Sequence, residues 1–239
     1  MAEPLILLIE TATDICSVAV SEGEGILALV ESGSDRSHAT LLNRFIREAM
    51  GMAGKDLKQL DAIAVSKGPG SYTGLRIGVS TAKGLAYALN KPLLSCGTIE
   101  SMAYSAIQIP GVQNLVKLYG DQLLLCPMLD ARRMEVYTAF FSPGCEWIRE
   151  VTAEIIDQHS FGELLERYQV CFLGNGASKC RESITHSNAH FIDGLNPSSA
   201  AMITPVLSQF HKSEFENVAY FEPFYLKDFV ATKPRKKIL

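Results

Sequence analysis

The chain has 239 residues, of which 22 are Lys or Arg and 26 are Asp or Glu, so its formal net charge is −4. Hydrophobic residues make up 47% and charged residues 20%, a balance typical of a globular chain that buries a sizeable core. The negative charge excludes the broad basic face of an autonomous nucleic-acid-binding protein. No apolar run approaches the ~18 residues of a membrane span. The first four residues, Met-Ala-Glu-Pro, form no basic n-region, so we expect no signal peptide. We therefore expect a cytoplasmic protein of one large or two small domains, with no membrane contact.

Candidate metal ligands are scattered. The six cysteines form no C-x-x-C pair of the kind found in zinc ribbons and fingers, so they are expected to be reduced core thiols. His186 and His190 are four residues apart but lack the glutamate of the H-E-x-x-H motif, and their segment has no helical periodicity. His38 stands alone at the start of a predicted helix. The sequence thus predicts no metal site.

Strand and helix patterns alternate in the first third of the chain. Apolar or alternating runs predict strands over residues 5–9, 16–20, 26–30 and 61–65. Ser37 is the expected cap of a helix over residues 37–51, and a second helix is predicted over residues 74–89.

The second half repeats this order of elements. Strands are predicted over residues 123–126, 136–141, 147–156 and 170–173, and a short helix over residues 161–168. In each half an acidic residue, Glu10 or Asp130, ends the first strand, and a Gly-x-Gly sequence, at residues 68–70 or 174–176, follows a later short strand. The repetition predicts two similar α/β lobes.

The lobes are expected to meet at the Ile-Pro-Gly sequence of residues 109–111, which divides the chain into lobes 1–108 and 109–239. A final helix near residues 198–211 is a candidate to pack back on the first lobe. The tail that follows carries four basic residues within 233–237, for which a solvated terminus is favoured over a phosphate contact.

The strongest local motif is Gly-Pro-Gly-Ser-Tyr-Thr-Gly at residues 68–74, just before a predicted helix N-terminus. Such a terminus attracts anions, but the spacing matches neither the P-loop nor the dinucleotide fingerprint. The residues leave a tight structural turn and a nucleotide or anion loop equally open. The candidate loop residues are Gly68, Gly70, Ser71, Thr73 and Gly74.

Glu10 is also compatible with either a ligand-binding role or a structural role. At the end of the first strand, its carboxylate can orient a metal-bound nucleotide, or it can cap the turn that follows by accepting hydrogen bonds from backbone N–H groups. No serine lies in a G-x-S-x-G nucleophile elbow.

Both predicted helices of the first lobe carry more apolar surface than one sheet face covers. In the second helix, the small residues Gly74, Gly78, Ala82 and Ala86 recur every four positions, so another backbone can approach closely. The excess apolar surface is left for either the other lobe or a second chain to cover.

Several of these sequences together resemble the TsaB (YeaZ) family, and the resemblance runs from residue 5 to about residue 228. They are Ile-Glu-Thr-Ala-Thr at 9–13 with Cys-Ser-Val-Ala-Val at 16–20, Lys-Gly-Pro-Gly-Ser-Tyr-Thr-Gly-Leu-Arg-Ile-Gly at 67–78, Asp-Ala-Arg at 130–132 with Glu-Val-Tyr at 135–137, and Glu-Pro-Phe-Tyr-Leu-Lys at 222–227. The resemblance implies an actin-like (ASKHA) α/β fold, in which two similar lobes each hold a mixed sheet flanked by helices. It also implies a role in the transfer of threonylcarbamoyl to N6 of the adenosine beside the anticodon, in tRNAs that decode codons beginning with A.

In this family TsaB is the non-catalytic partner of its paralogue TsaD, which performs the transfer, and the ATPase TsaE joins them. The resemblance implies no catalytic residue and no tightly bound cofactor in this chain, and it leaves ATP or ADP at the interface of the complex open. TsaD carries a metal-binding His-x-x-x-His in the region of the first helix, whereas this chain has His38 followed by Leu42. The expected partners are TsaD, TsaE, tRNA through the complex, and a second copy of the chain when it is alone.

The resemblance and the apolar helix faces together place the partner surface on the two helices. The residues expected there are His38, Leu41, Leu42, Phe45, Leu75, Arg76, Val79, Ala82 and Lys83. Two other functions remain as alternatives. An ATP-dependent phosphotransferase is disfavoured because the turn at residues 10–14 contains no glycine, and a glycoprotease-like metallopeptidase is disfavoured by the missing ligands.

Overall fold

The computed structural model describes residues 3–32 and 38–227, so Ser37 and the basic residues 233–237 lie outside the described residues. The strands are β1 Leu5–Glu10, β2 Cys16–Glu22, β3 Gly25–Ser32, β4 Ala62–Gly68, β5 Leu93–Gly97, β6 Leu123–Asp130, β7 Glu135–Phe141, β8 Trp147–Ile155, β9 Gln169–Leu173 and β10 Ala189–Ile192. The helices are α1 His38–Met52, α2 Tyr72–Leu89, α3 Thr98–Ala106, α4 Pro110–Tyr119, α5 Gly162–Leu165 and α6 Ile203–Lys212. None of these helices combines the length and hydropathy that crossing a bilayer requires.

The two predicted lobes are confirmed by two sheets of the same topology. The first sheet has the order β3-β2-β1-β4-β5 and the second the order β10-β9-β6-β7-β8. In each sheet the central strand pairs antiparallel with the hairpin on one side and parallel with the later strand on the other. The mixed α/β architecture is thus present twice, with β1 and β6 in equivalent positions.

β1 is a continuous apolar run because it is covered on both faces. Leu7 and Ile9 lie in the core cluster beneath α1 and α2. Ile6 and Leu8 face the other way and pack with Met202 and other residues at the start of α6. All six residues of β1 are buried, which is why hydrophobic alternation is absent from this strand.

The segment predicted to join the lobes begins a helix. Pro110 is the first residue of α4, a position where its missing N–H costs nothing. The helices α3 and α4 and the short strands β5 and β10 were not predicted. The helix predicted over residues 161–168 contains only the four-residue α5, followed by turns.

Two helices pack on the sheet that lies across the predicted boundary. α3 precedes residue 109, yet Ile99 and Met102 belong to the core cluster of the second sheet. α6 comes late in the chain, yet Val206 packs beneath the first sheet with Ile6. Each side of residue 108 thus contributes a helix to the sheet on the other side. The boundary after residue 108 therefore remains a prediction.

α2 lies unusually close to the turn that follows β1. A Cβ atom at Gly74 would stand 2.1 Å from the carbonyl oxygen of Thr11, and one at Gly78 would stand 2.2 Å from Thr11 Oγ1. Thr11 Oγ1 donates a hydrogen bond of 2.9 Å to the carbonyl oxygen of Gly74. The small-residue ladder is therefore used within the chain, where glycine allows this turn to touch the helix.

Gly74→Ala is expected to lower the free energy of unfolding by about 1–3 kcal/mol, because the added methyl group overlaps backbone that cannot retreat. Gly84→Ala is the matched control in the same helix, since nothing lies within 4 Å of its Cβ position. It is expected to raise stability by up to about 1 kcal/mol through helix propensity. Urea unfolding measures both values, and equal effects at the two sites would contradict the close approach.

Candidate functional site between the lobes and on helix α2

A cavity of 610 Å³ lies between the two lobes. Four segments line it: the turn at residues 12–14, the glycine loop at residues 69–73, the β6–β7 turn at residues 129–132, and the stretch of residues 224–227. Tyr137 and Asn175 complete the lining. The cavity brings together residues of the segments that carried the family resemblance, except for residues 16–20, which do not line it.

The predicted nucleotide or anion loop is in close contact with residues of its own chain. Ser71 N donates to the carbonyl oxygen of Ala12 at 2.6 Å, and Ser71 Oγ caps α2 by accepting from Gly74 N at 3.3 Å. A Cβ atom at Gly70 would stand 2.3 Å from the Ala12 oxygen. Thr73 is exposed on the first turn of the helix. These contacts account for the glycines as a tight turn, and nucleotide binding by the loop remains a prediction.

The last part of the described chain crosses the glycine loop. We call this segment, residues 213–227, the strap. Phe224 N donates to the carbonyl oxygen of Lys67 at 2.7 Å, and Gly68, at φ +109°, leaves room for the Phe224 carbonyl. The ring of Tyr225 lies 4.8 Å from that of Tyr72. Beyond it, Lys227 forms an ion pair with Glu135 of β7. The strap therefore links the glycine loop of the first lobe to the second lobe.

Glu10 lies fully buried at the floor of the first lobe, beneath the turn that follows β1. Its Oε1 accepts hydrogen bonds from Ala12 N at 2.5 Å and from Ser66 Oγ at 2.8 Å, whereas Oε2 has no partner within the described chain. Burial raises the pKa of Glu10 to about 7, against the lowering effect of these hydrogen bonds. Of the two roles left open by the sequence, Glu10 performs the capping of the turn.

The β6–β7 turn at the cavity rim is held by a lysine that sequence reasoning missed. Arg132 and Arg133 both adopt left-handed backbone conformations, at φ 70° and 51°, which cost free energy for residues other than glycine. Lys179 donates to the carbonyl oxygens of Arg133 and Glu135, each at 2.7 Å, and pairs with Asp130. Because Lys179 is more than forty residues away in sequence, no local pattern reveals this contact.

The predicted partner surface needs a correction. Its six apolar residues are buried in the chain's own core, with side chains at most 3% exposed: Leu41, Leu42, Phe45, Leu75, Val79 and Ala82. The excess apolar surface of the helices is covered by α1 packing on α2 and by Val218 and Phe221 of the strap. The sequence analysis assigned these residues to a surface because the two strap residues that help to cover them are far away in sequence, and partner binding through the two helices stays a prediction.

The polar residues of the predicted surface have different positions. His38 is half-buried, and its Nε2 donates to the carbonyl oxygen of Thr13 at 2.6 Å. Lys83 is half-buried and donates to the carbonyl oxygens of Ala219 and Phe221, at 3.2 and 2.7 Å. Arg76 is exposed and its guanidinium lies 4.9 Å from the ring centroid of Tyr72. Of the residues predicted for the partner surface, only Arg76 is exposed.

The histidines and cysteines do not gather into a ligand set. Within residues 3–32 and 38–227, no three His, Cys, Asp or Glu side chains are arranged to hold a metal ion. His190 lies on β10, with Nε2 2.8 Å from Gln169 Oε1, while His186 lies in the preceding turn. All six cysteines are free and buried, and burial raises the pKa of Cys16 to about 11.

The raised pKa of Glu10 predicts a pH-dependent stability. Since the folded-state pKa of about 7 exceeds the ordinary 4.5, the folded state binds the proton more tightly than the unfolded state. The stabilising contribution is complete below pH 4.5 and is lost as pH rises to about 7, by up to roughly 3 kcal/mol. Glu10→Gln removes this titration. Relative to the natural chain, the variant is expected to gain stability between pH 5 and pH 8 in urea unfolding; a constant difference would contradict the neutral carboxyl.

Comparison with known proteins gives a consistent picture. The family described as TsaD, tRNA N6-adenosine threonylcarbamoyltransferase, matches residues 25–234. The tRNA threonylcarbamoyladenosine biosynthesis proteins TsaB of Haemophilus influenzae and Escherichia coli are 24% and 28% identical to this chain, over 95% of it and 95% and 96% of their own lengths.

A solved structure from Pseudomonas aeruginosa, described as an uncharacterized protein with similarity to peptidase YEAZ, has a TM-score of 0.79 to this chain. The match covers 94% of this chain and 100% of the other, at 24% identity, and shows that the fold is shared. The chain belongs to the TsaD family of tRNA N6-adenosine threonylcarbamoyltransferases, and within that family to the TsaB (YeaZ) proteins.

Proposed function

We propose that this protein is a non-catalytic subunit in the biosynthesis of threonylcarbamoyladenosine in tRNA, where it binds and supports a TsaD paralogue. The role in this biosynthesis is that of its TsaB relatives, which match it over nearly the whole length of both chains. The non-catalytic part of the proposal rests on the chemistry of α1.

One observation carries the proposal of a scaffold. The resemblance aligns the two metal-binding histidines of TsaD with His38 and Leu42. Leu42 is 1% exposed within the core, and the His38 Nε2 atom donates to a backbone carbonyl. A hydrocarbon in the core cannot ligate a metal, and a catalytic metal site needs about three protein ligands. The first helix therefore serves packing where a catalytic relative needs ligands.

The cavity between the lobes supports the same proposal. Ala12 contacts Gly70 and Ser71, and the strap residues Phe224 to Lys227 form one wall. These internal contacts use backbone groups that a phosphate-binding loop would offer to its ligand. We therefore propose that this chain alone binds no nucleotide tightly, and that any ATP or ADP in the complex binds at the interface with TsaD.

The proposed TsaD-binding surface is the outer face of α2. The exposed residues there are Thr73, Arg76, Ser80, Gly84, Tyr87 and Ala88. Tyr87 is 83% exposed, and tyrosine and arginine are the residues that most often anchor interfaces. The small residues between them let a partner helix approach closely. TsaE and tRNA are proposed to join through the assembled complex, since the net charge of −4 provides no broad basic face.

A depletion experiment tests the proposed function. In a bacterial strain depleted of its own TsaB, this chain is expected to restore threonylcarbamoyladenosine, measured by mass spectrometry of tRNA nucleosides. The purified chain alone is expected neither to modify tRNA nor to turn over ATP above background. ATP turnover by the isolated chain would instead favour the phosphotransferase alternative.

The binding surface is tested by Ser80→Arg, which places a long charged side chain where the helices would meet. TsaD binding is expected to weaken about a hundredfold or more, with an unchanged melting temperature. Ser187→Arg, on an exposed turn of the second lobe, is the matched control and is expected to bind normally. Normal binding by Ser80→Arg would place the surface elsewhere. Val79→Glu, in contrast, is expected to unfold the chain, because Val79 is 3% exposed in the core.

A further inference from the structure

The turn between β6 and β7 has a backbone conformation that its residues do not favour. Arg132 and Arg133 both have positive φ, at 70° and 51°. Glu135 N donates to the carbonyl oxygen of Arg132 at 3.2 Å, which makes Arg133 the first central residue of a β-turn. A positive φ at such positions is usually supplied by glycine or asparagine. Two arginines therefore lower the stability of this turn, and backbone strain of this kind is concentrated at functional sites.

Contacts from the rest of the second lobe hold the turn in this conformation. Arg132 N donates to Asp130 Oδ1 at 2.8 Å, and Asp130 N donates to Asn175 Oδ1 at 3.0 Å. Lys179 Nζ donates to the carbonyl oxygen of Arg133 at 2.7 Å. These bonds involve backbone groups and the side chains of other residues. The guanidinium groups of the turn therefore take no part in fixing its backbone.

The charges around the turn leave a local excess of positive charge. The two carboxylates of the hairpin are each paired with a lysine, Asp130 with Lys179 and Glu135 with Lys227. The two arginines of the turn are exposed, and neither guanidinium has a hydrogen-bond or ion-pair partner within the described part of the chain. They are therefore available to an anion from outside the chain.

More basic residues follow shortly afterwards in the chain. Lys227, the last described residue, is paired with Glu135 beside the turn. Lys233 comes six residues later, and six residues span at most about 22 Å. The four basic residues within 233–237 therefore begin within this distance of Lys227. Their attachment point beside the turn supports a phosphate contact, which the sequence alone did not favour.

We propose that Arg132 and Arg133 bind backbone phosphates of tRNA in the assembled complex, and this inference rests on the proposed function. A guanidinium group is a planar donor that matches two phosphate oxygens with parallel hydrogen bonds. Arg132 and Thr73, a residue of the proposed TsaD-binding surface, line the same cavity. The turn thus lies at the border of that surface, where it can contact an RNA that TsaD binds.

A small basic site is compatible with a chain whose net charge is −4. Two arginines and a short basic segment neutralise few phosphates, so the chain alone is expected to bind RNA weakly. In the complex, the same contacts add to those of the other subunits. Because phosphate contacts position a nucleic acid without reading its sequence, the turn is expected to orient tRNA rather than to select it.

The double variant Arg132→Asn, Arg133→Gly separates binding from folding. Asparagine and glycine tolerate positive φ, so the variant is expected to melt a few degrees higher than the natural chain. Its complex with TsaD is expected to bind tRNA about tenfold more weakly or worse. The slope of log K against log salt is expected to become shallower by about 1.4–1.8. Fluorescence anisotropy with labelled tRNA measures both, and the affinity for TsaD is expected to be unchanged.

Lys117→Ala combined with Arg167→Ala is the matched control, since it removes two exposed positive charges from the same lobe. Both residues come shortly before the first residues of β6 and β9, which pair as Leu123 and Gln169. They therefore lie at the end of the second sheet opposite the turn. The complex of the control variant is expected to bind tRNA like that of the natural chain.

Several outcomes would overturn the proposal. Unchanged tRNA affinity in the double variant, a loss equal to that of the control, a lower melting temperature, or weaker binding to TsaD would each assign the arginines another role. A loss of affinity for ATP but not for tRNA would assign them to a free nucleotide. If the natural chain forms no complex with TsaD, the proposed function fails and the inference fails with it. If the complex forms and binds tRNA equally with the natural and double-variant chains, only the inference fails.

Discussion

The contact between the turn after β1 and the first turns of α2 is the constraint on which the site depends. Because Gly70, Gly74 and Gly78 carry no side chain, the loop and the helix can contact Ala12 and Thr11 directly. This contact fixes the position of the glycine loop, which lines the interlobe cavity together with Ala12. The second lobe repeats it: Gly176 N donates to the carbonyl oxygen of Met128 at 3.0 Å, and a Cβ at Gly176 would lie 3.0 Å from Asp130 N.

The duplicated fold could be predicted because its main signals are local. β1 is buried on both faces and appears as an unbroken apolar run, and each hairpin follows its central strand directly. α3 was missed although Ile99, Met102 and Ala106 have helical spacing. Pro110 and Gly111 were interpreted as a joint between the lobes, but proline is also favoured at the first turn of a helix. Local residues alone do not separate these two uses of the same dipeptide.

The partner surface was predicted less well for a physical reason. A count of apolar residues around a helix states how much surface needs cover, but not which element covers it. For α2 the cover comes from α1 and from strap residues more than a hundred positions away, held in place when Lys83 donates to two strap carbonyls. What is left outside is the polar and small-residue stripe around Ser80, a surface suited to a helix that approaches closely.

The same fold can carry a catalytic site or a scaffold because activity resides in a few side chains and backbone groups. In the first lobe of this chain, several such groups form hydrogen bonds with the chain itself. Ser71 N is bonded to the Ala12 carbonyl, and Gly74 N is bonded to Ser71 Oγ, so part of the anion-binding capacity of the α2 terminus is used within the loop. Glu10, with its pKa raised to about 7 by burial, caps the turn instead of presenting a carboxylate to the cavity. A glycine-rich loop before a helix therefore indicates close packing as readily as it indicates phosphate binding, and the atom that faces each glycine distinguishes the two.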